Sequence, residues 1–204
     1  MTGRLIGLRL ESPPRFADAY YAAVRREIGS EQIASAFAIR VLIALLDRLR
    51  PARVLEVGSG IGTLTHLLAC PGAELHIAED SQWCLHAMRQ RLSDAAHRRI
   101  VPGLGYLHHL IVVDGDQVTP NIALGLLKRG GWILVEGNRR TWRAGLKYGY
   151  RDFVEVNLRP FDQSKGVWLL AFEPTPRLRL GFALERTWQR VLGFTSRAWS
   201  LLTG

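Results

Sequence analysis

The chain has 204 residues, 48% hydrophobic and 22% charged, and its 27 Lys and Arg against 18 Asp and Glu give a net charge of +9. That length fits one domain with small appendages, and that composition excludes a disordered or collagen-like chain. No apolar run reaches the roughly 20 residues needed to span a bilayer, the start carries no long apolar signal segment, and the two cysteines, Cys70 and Cys84, form no CxxC pair, so a reduced cytoplasmic chain is expected.

Pro13 and Pro14 close an irregular start. "RFADAYYAAVRREIG" then reads as an amphipathic helix ending at Gly29. Ser30 is placed to cap a second helix, "EQIASAFAIRVLIALLDRLR". Pro51 stops that helix near Arg50, because the residue before a proline avoids helical geometry. Residues 14–50 thus read as a helical entry layer. "RVLEV" is a short buried strand, followed by a glycine turn and the helix "TLTHLLAC". "AELHIAED" is a second strand, and "SQWCLHAMRQRLSDAA" a helix after it. "HLIVVDGD" is a third clear strand. "TPNIALGLLKRG" reads as a helix ending on Gly130 and Gly131, and "WILVEGN" as a fourth strand. Strands and helices alternating over short connections indicate parallel βαβ units. "DFVEVNL" and "GVWLLAFE" then follow with no helix between them, as an antiparallel pair at one sheet edge.

The glycine turn is "VLEVGSGIGTLT". Glycine has no Cβ and tolerates positive φ, so a ligand can approach the backbone there. In a doubly wound sheet, such a turn sits at the carboxyl end of the first strand, where ligands bind. Gly58, Gly60 and Gly62 give the spacing GxGxG, whereas a dinucleotide fingerprint needs GxGxxG/A, and Thr63 stands where its last small residue belongs. Glu56 lies two residues before the first glycine. A carboxylate there repels a pyrophosphate and attracts an ammonium group. A dinucleotide-dependent oxidoreductase is disfavoured on this ground.

The turn resembles motif I of the class I S-adenosylmethionine-dependent methyltransferases. The resemblance implies an α/β fold: a doubly wound, mostly parallel seven-stranded Rossmann-like sheet whose final strand is antiparallel. It implies that S-adenosylmethionine is held by Glu56, Gly58, Ser59, Gly60 and Gly62. It makes Glu79, about 20 residues after the turn, the acid for the ribose hydroxyls, with Asp80 as the alternative. A carboxylate can accept both hydroxyl protons.

Asp114 and Asp116 in "VVDGDQ", with Glu136 and Asn138 in "WILVEGN", end two further strands and face the same cleft. This arrangement is similar to the small-molecule O-methyltransferases, including the catechol and caffeoyl-coenzyme-A type and the sugar enzymes with a "DGDH" strand end. In those families such acids hold magnesium, which orients the substrate hydroxyl and lowers its pKa. The chain departs from the pattern. Gly137 stands where a metal-binding aspartate falls, Glu136 is one residue earlier and expected on the opposite face, and Gln117 replaces the histidine. Magnesium is therefore disfavoured, and Asp114 is expected to line the reaction site. His108 and His109 lie at the amino end of their strand, away from the cleft, and are expected to have packing roles.

"NRRTWRAGLKYGYR" carries five basic residues interleaved with aromatics, and Asn138, Arg139 and Trp142 are expected to join Asp116 around a small-molecule acceptor, anionic or sugar-like. The expected domain spans residues 1–176. Residues 177–204 read as an accessory amphipathic helix, with Arg186, Arg190 and Arg197 opposite Leu184, Trp188, Val191, Leu192, Trp199 and Leu202. Such a helix docks on its own domain, on a second copy of the chain, or peripherally on an anionic membrane. Segregated arginines and aromatics disfavour nucleic acid. Methyl transfer from S-adenosylmethionine, to a hydroxyl oxygen, is the leading expectation. Another enzyme on the fold, such as an aminopropyl transferase or an oxidoreductase, and a non-catalytic module associated with a membrane or a partner are the rivals.

Overall fold

The protein is described by a computed structural model over residues 4–5, 8–9, 15–69, 72–149, 152–158, 165–180, 183–184 and 187. Its main sheet is built from β1 (Arg53–Val57), β2 (Glu74–Ala78), β3 (Ile100–Val101), β4 (His108–Val113), β5 (Leu127–Glu136), β6 (Phe153–Asn157) and β7 (Val167–Phe172). The spatial order is β3-β2-β1-β4-β5-β7-β6. The pairs β1–β2, β1–β4, β2–β3 and β4–β5 are parallel. β7 runs antiparallel to both β5 and β6, as expected for the closing strand.

Helices cover both faces: α1 (Arg15–Val24), α2 (Ala36–Leu49), α3 (Thr63–Leu68), α4 (Gln82–Arg91), α5 (Asp94–His97), α6 (Pro120–Leu126) and α7 (Arg140–Gly149). The central strands are apolar nearly throughout because neither face meets water. Side chains alternate between two cores. Val54, Val112 and Leu134 pack with Ile39, Leu42 and Leu68 on the α2–α3 face. Leu55, Val113 and Val135 pack with Ala123 and Leu146 on the α6–α7 face. Each fully buried aliphatic side chain contributes about 1.5–3 kcal/mol.

Four local boundaries differ from the sequence expectation, each for a visible reason. Ser30 opens only a short 3-10 turn, Ser30–Gln32, because its hydroxyl donates back to the Arg25 carbonyl at 3.0 Å. Ser35 caps α2 instead, accepting the Ala38 N–H at 3.0 Å. The helix expected after β2 is two helices, since Leu92 is extended and the Ser93 hydroxyl accepts from Ala96 to start α5. α6 ends at Leu126, and Gly130 and Gly131 belong to β5: Leu127 pairs with His108, and the register resumes at Leu110 with Trp132. Gly130, at φ 74°, serves the intervening bulge rather than a helix end. β3, two residues long, is too short for any sequence period to mark.

The C-terminal helix falls mostly outside the described residues. Among the described residues, no helix is long and apolar enough to cross a membrane.

Candidate functional site

The chain leaves β1 toward α3 and β2, and leaves β4 toward α6 and β5. β1 and β4 are neighbours, so their carboxyl ends open a crevice where the sheet's winding reverses. A cavity of about 460 Å³ lies there, of a size suited to a small molecule. Ser59, Gly60 and Ile61 of the glycine turn form its floor, Trp83 and Cys84 of α4 one side, and Gly29, Glu31 and Ile33 of the α1–α2 connection another. Asp114 reaches it from the end of β4.

The glycine turn is clamped by its neighbours. The Gly58 N–H donates to the Ala78 carbonyl at 2.9 Å, and the Asp114 N–H to the Val57 carbonyl at 2.8 Å. Gly58 has φ 81°, and a Cβ built on it falls 2.5 Å from the Gly115 Cα. Two glycine backbones thus touch, and any side chain at residue 58 would part them. A Cβ on Gly60, by contrast, meets nothing within 4 Å, so that backbone borders open space.

Glu79 ends β2 beside this turn. Its Oε2 accepts the Gly60 N–H at 3.0 Å and the Ser59 hydroxyl at 3.4 Å, and its Oε1 accepts the Asp80 and Ser81 N–H groups. Asp80 is exposed and accepts a hydrogen bond from Gln117 at 3.4 Å.

Glu56 sits beneath the turn, fully buried. Its Oε2 accepts the Thr65 hydroxyl at 2.7 Å, while its Oε1 accepts no hydrogen bond among the described residues. Burial pushes its carboxyl up to about 8, the Thr65 hydrogen bond opposes this, and the Glu79 charge adds to it.

Asp114 and Glu136 come together, which corrects the expectation that Glu136 faces away. Val113 and Val135 are partners in parallel register, so the next residues stand abreast and share a face. Glu136 is 2% exposed and its Oε1 accepts the Ser35 N–H at 3.2 Å. Burial raises the Asp114 carboxyl well above its usual range, with the charge and hydrogen bond of Glu136 adding to it and Arg139 and Lys165 opposing it. The Arg139 guanidinium donates to the Asp114 carbonyl, to Asp114 Oδ1 at 3.4 Å and to Asp116 Oδ2 at 3.2 Å. Asn138 and Asp116 are exposed at the rim. Trp142, expected beside the acceptor, is instead 4% exposed in the core on the α6–α7 face. It is the apolar anchor of α7, on the side of the sheet away from Glu56 and Glu136.

His108 and His109 lie at the amino end of β4. His108 is buried edge-on against His76, ring centroids 5.1 Å apart, and burial pushes it down to about 4. His109 borders a second cavity of about 360 Å³ with Arg53, Glu74 and Lys128. The sequence reading did not single out Trp83 or the Gly29–Ile33 wall. Trp83 stands in the first turn of α4, four residues after the β2 acid, which was the available signal.

No protein-family model matches the chain, and no curated protein matches it. Solved structures do. The O-methyltransferase TomG of Streptomyces achromogenes, in complex with S-adenosylmethionine, aligns over 78% of this chain and 90% of its own, with TM-score 0.58 and 18% identity. A methyltransferase from Geobacter sulfurreducens aligns over 76% and 89%, with TM-score 0.57 and 16% identity. The Podospora anserina methyltransferase PaMTH1, bound to S-adenosylhomocysteine, aligns over 76% and 87%, with TM-score 0.53 and 18% identity. The chain has the class I methyltransferase fold. Within that fold the glycine turn, Glu79 and the Asp114–Glu136 pair occupy the carboxyl end of the sheet, and the two histidines of β4 the opposite end.

Proposed function

We propose that the chain is an S-adenosylmethionine-dependent methyltransferase acting on a hydroxyl oxygen of a small-molecule acceptor. The observation that carries this is the cavity at the winding reversal, floored by an open glycine backbone whose Gly60 N–H is held by the carboxylate of Glu79. Its residues fit the cofactor. Glu79 accepts single N–H and O–H groups from the glycine turn and from the residues after β2, and ribose hydroxyls can compete for the same oxygens. Among the described residues, Glu56 keeps one buried oxygen without a partner, suited to an ammonium group. Trp83, 53% exposed at the cavity wall, offers a ring face for a flat base.

When bound, the cofactor supplies an electrophilic methyl group. The chain's own residues supply position and a proton acceptor. The glycine turn and Glu79 fix the cofactor end, and the wall at Gly29–Ile33 limits water. Asp114, half-buried beside Glu136 and lining the cavity, accepts the hydroxyl proton as the oxygen becomes a nucleophile. Arg139 and Lys165 set two positive charges among the acids Asp114, Asp116 and Glu136, and this mixed polar end suits a hydroxyl-rich acceptor, with the cations as the partners for an anionic one.

Calorimetric titration with S-adenosylmethionine, S-adenosylhomocysteine and NAD tests the reading. The first two are expected to bind at one site and NAD not to bind. Absence of binding by either sulfur compound would remove the proposal.

A further inference from the structure

Acids at the ends of two adjacent parallel strands invite a hard divalent cation, and the O-methyltransferases that the strand ends resemble hold magnesium at such a place. The residues of this chain do not fit one. Magnesium requires near-octahedral oxygen ligands at about 2.0–2.1 Å. The available donors here are Asp114, Asp116, Glu136 and Asn138. One guanidinium already engages the Asp114 carbonyl, Asp114 Oδ1 and Asp116 Oδ2. A fourth oxygen, Glu136 Oε1, accepts the Ser35 N–H. The Asn138 side chain stands at the exposed rim, and Gly137 between them carries no donor. Among the described residues, no three His, Cys, Asp or Glu side chains group as metal ligands.

The backbone explains how the arginine gets there. Gly137 has φ 76°, and its N–H donates to the Gly166 carbonyl at 2.8 Å. This turns the chain sharply after β5, so Arg139 doubles back to the end of β4 before α7 begins at Arg140. The same contact brings the β6–β7 connection alongside, where Lys165 donates to the Ile33 carbonyl at 2.7 Å and adds a second positive charge near Asp114. An arginine keeps its charge at every working pH, and its planar fork suits carboxylates and carbonyls.

The geometry points to a metal-independent site, in which the Arg139 guanidinium takes the place of a divalent cation between the strand-end acids. It neutralises the acids, holds the Asp114 loop in position, and presents fixed positive charge to the acceptor oxygen. The last of these rests on the methyltransferase reading; the exclusion of a metal does not.

The test is uptake of manganese, read from the electron paramagnetic resonance signal of the free ion, with no cofactor or acceptor present. The wild-type chain is expected to leave the signal unchanged. Arg139→Gln is expected to take up one equivalent, and the double variant Arg139→Gln with Asp114→Asn none. Arg139→Met serves in place of Arg139→Gln if the latter does not melt cooperatively. One equivalent bound by the wild type and lost in Asp114→Asn overturns the inference. So does an Arg139 variant that melts cooperatively and still takes up no manganese. Where no variant folds, the wild-type measurement decides alone. Failure of the methyltransferase reading shows separately, as loss of calorimetric binding, and leaves the manganese count untouched.

Discussion

The Oε2 of Glu79 accepts the backbone N–H of Gly60 at 3.0 Å, tying the end of β2 to the glycine turn that follows β1. The acid orders the turn, and under the proposed function it also meets the cofactor's hydroxyl groups. Glu79→Gln removes the charge from both. Hydrogen bonds to a charged group contribute about 1.5–3 kcal/mol. S-adenosylmethionine is expected to bind roughly 10- to 100-fold more weakly by calorimetry, while the melting temperature drops only a few degrees. An unchanged dissociation constant would take Glu79 out of the cofactor site.

Gly58 and Gly60 separate folding from binding. Gly58→Ala drives a Cβ into the Gly115 backbone at a residue of φ 81°. Strain of about 1–3 kcal/mol is expected before any clash is counted, so the variant melts lower with or without ligand. Gly60→Ala, at φ 50°, carries backbone strain too, but its Cβ meets no protein atom within 4 Å. It keeps more of the stability, yet its methyl enters the cavity and weakens S-adenosylmethionine binding more than it weakens the fold. The two melting curves, recorded with and without cofactor, check this. An unchanged cofactor-induced rise in melting temperature in Gly60→Ala would mean that residue 60 does not border the ligand.

Sequence order alone makes the β1–turn–α3 segment legible, because strand, glycines and helix are adjacent and each signal is local. Glu79 is legible for a similar reason: one βαβ unit fixes its distance from the turn. The Asp114–Glu136 pair is not. Counting faces along β5 does not say which residue of β5 stands beside Asp114, and only the register of Val113 with Val135 does. Trp142 misleads differently. Its neighbours are basic and polar, so the segment reads as a rim, but α7 turns that one indole into the core with Leu146. Ser30 is the expected cap of α2, but its hydroxyl meets the Arg25 carbonyl and Ser35 takes the role, a choice set by a contact that the sequence does not display.

Glu56 predicts a pH dependence with a definite sign. Burial raises its carboxyl from 4.5 to about 8. Between those values the folded chain holds a proton that the unfolded chain has lost, so this group's contribution to stability falls as pH rises through that window. A bound ammonium group favours the carboxylate. Cofactor binding below pH 8 must then release a proton, and affinity is expected to climb by up to tenfold per pH unit and level off above it. Glu56→Gln removes both effects. The measurement is the difference between wild type and variant, in dissociation constant and in melting temperature, across that range. Parallel pH profiles for the two proteins would count against a carboxylate–ammonium contact.

Trp83 and Trp142 make the sharpest contrast between wall and core. Trp83 is 53% exposed and lines the cavity, its ring lying over Gly29: a Cβ built on that glycine falls 2.2 Å from Trp83 Cη2. Trp142 is 4% exposed among Leu55, Val57 and Ile111. Truncating a buried tryptophan costs about 3–5 kcal/mol, a large share of the total stability of a domain. Trp142→Ala is therefore expected to lower the melting temperature severely, with Trp142→Phe recovering much of it. Trp83→Ala is expected to melt within a few degrees of the wild type and to bind S-adenosylmethionine at least several-fold more weakly, since a base that stacks on a ring loses about 1–3 kcal/mol when the ring is removed. Denaturant unfolding and calorimetry on the same preparations read both quantities. A Trp83→Ala chain with unaltered affinity would place the flat part of the ligand away from α4, against the other wall of the cavity.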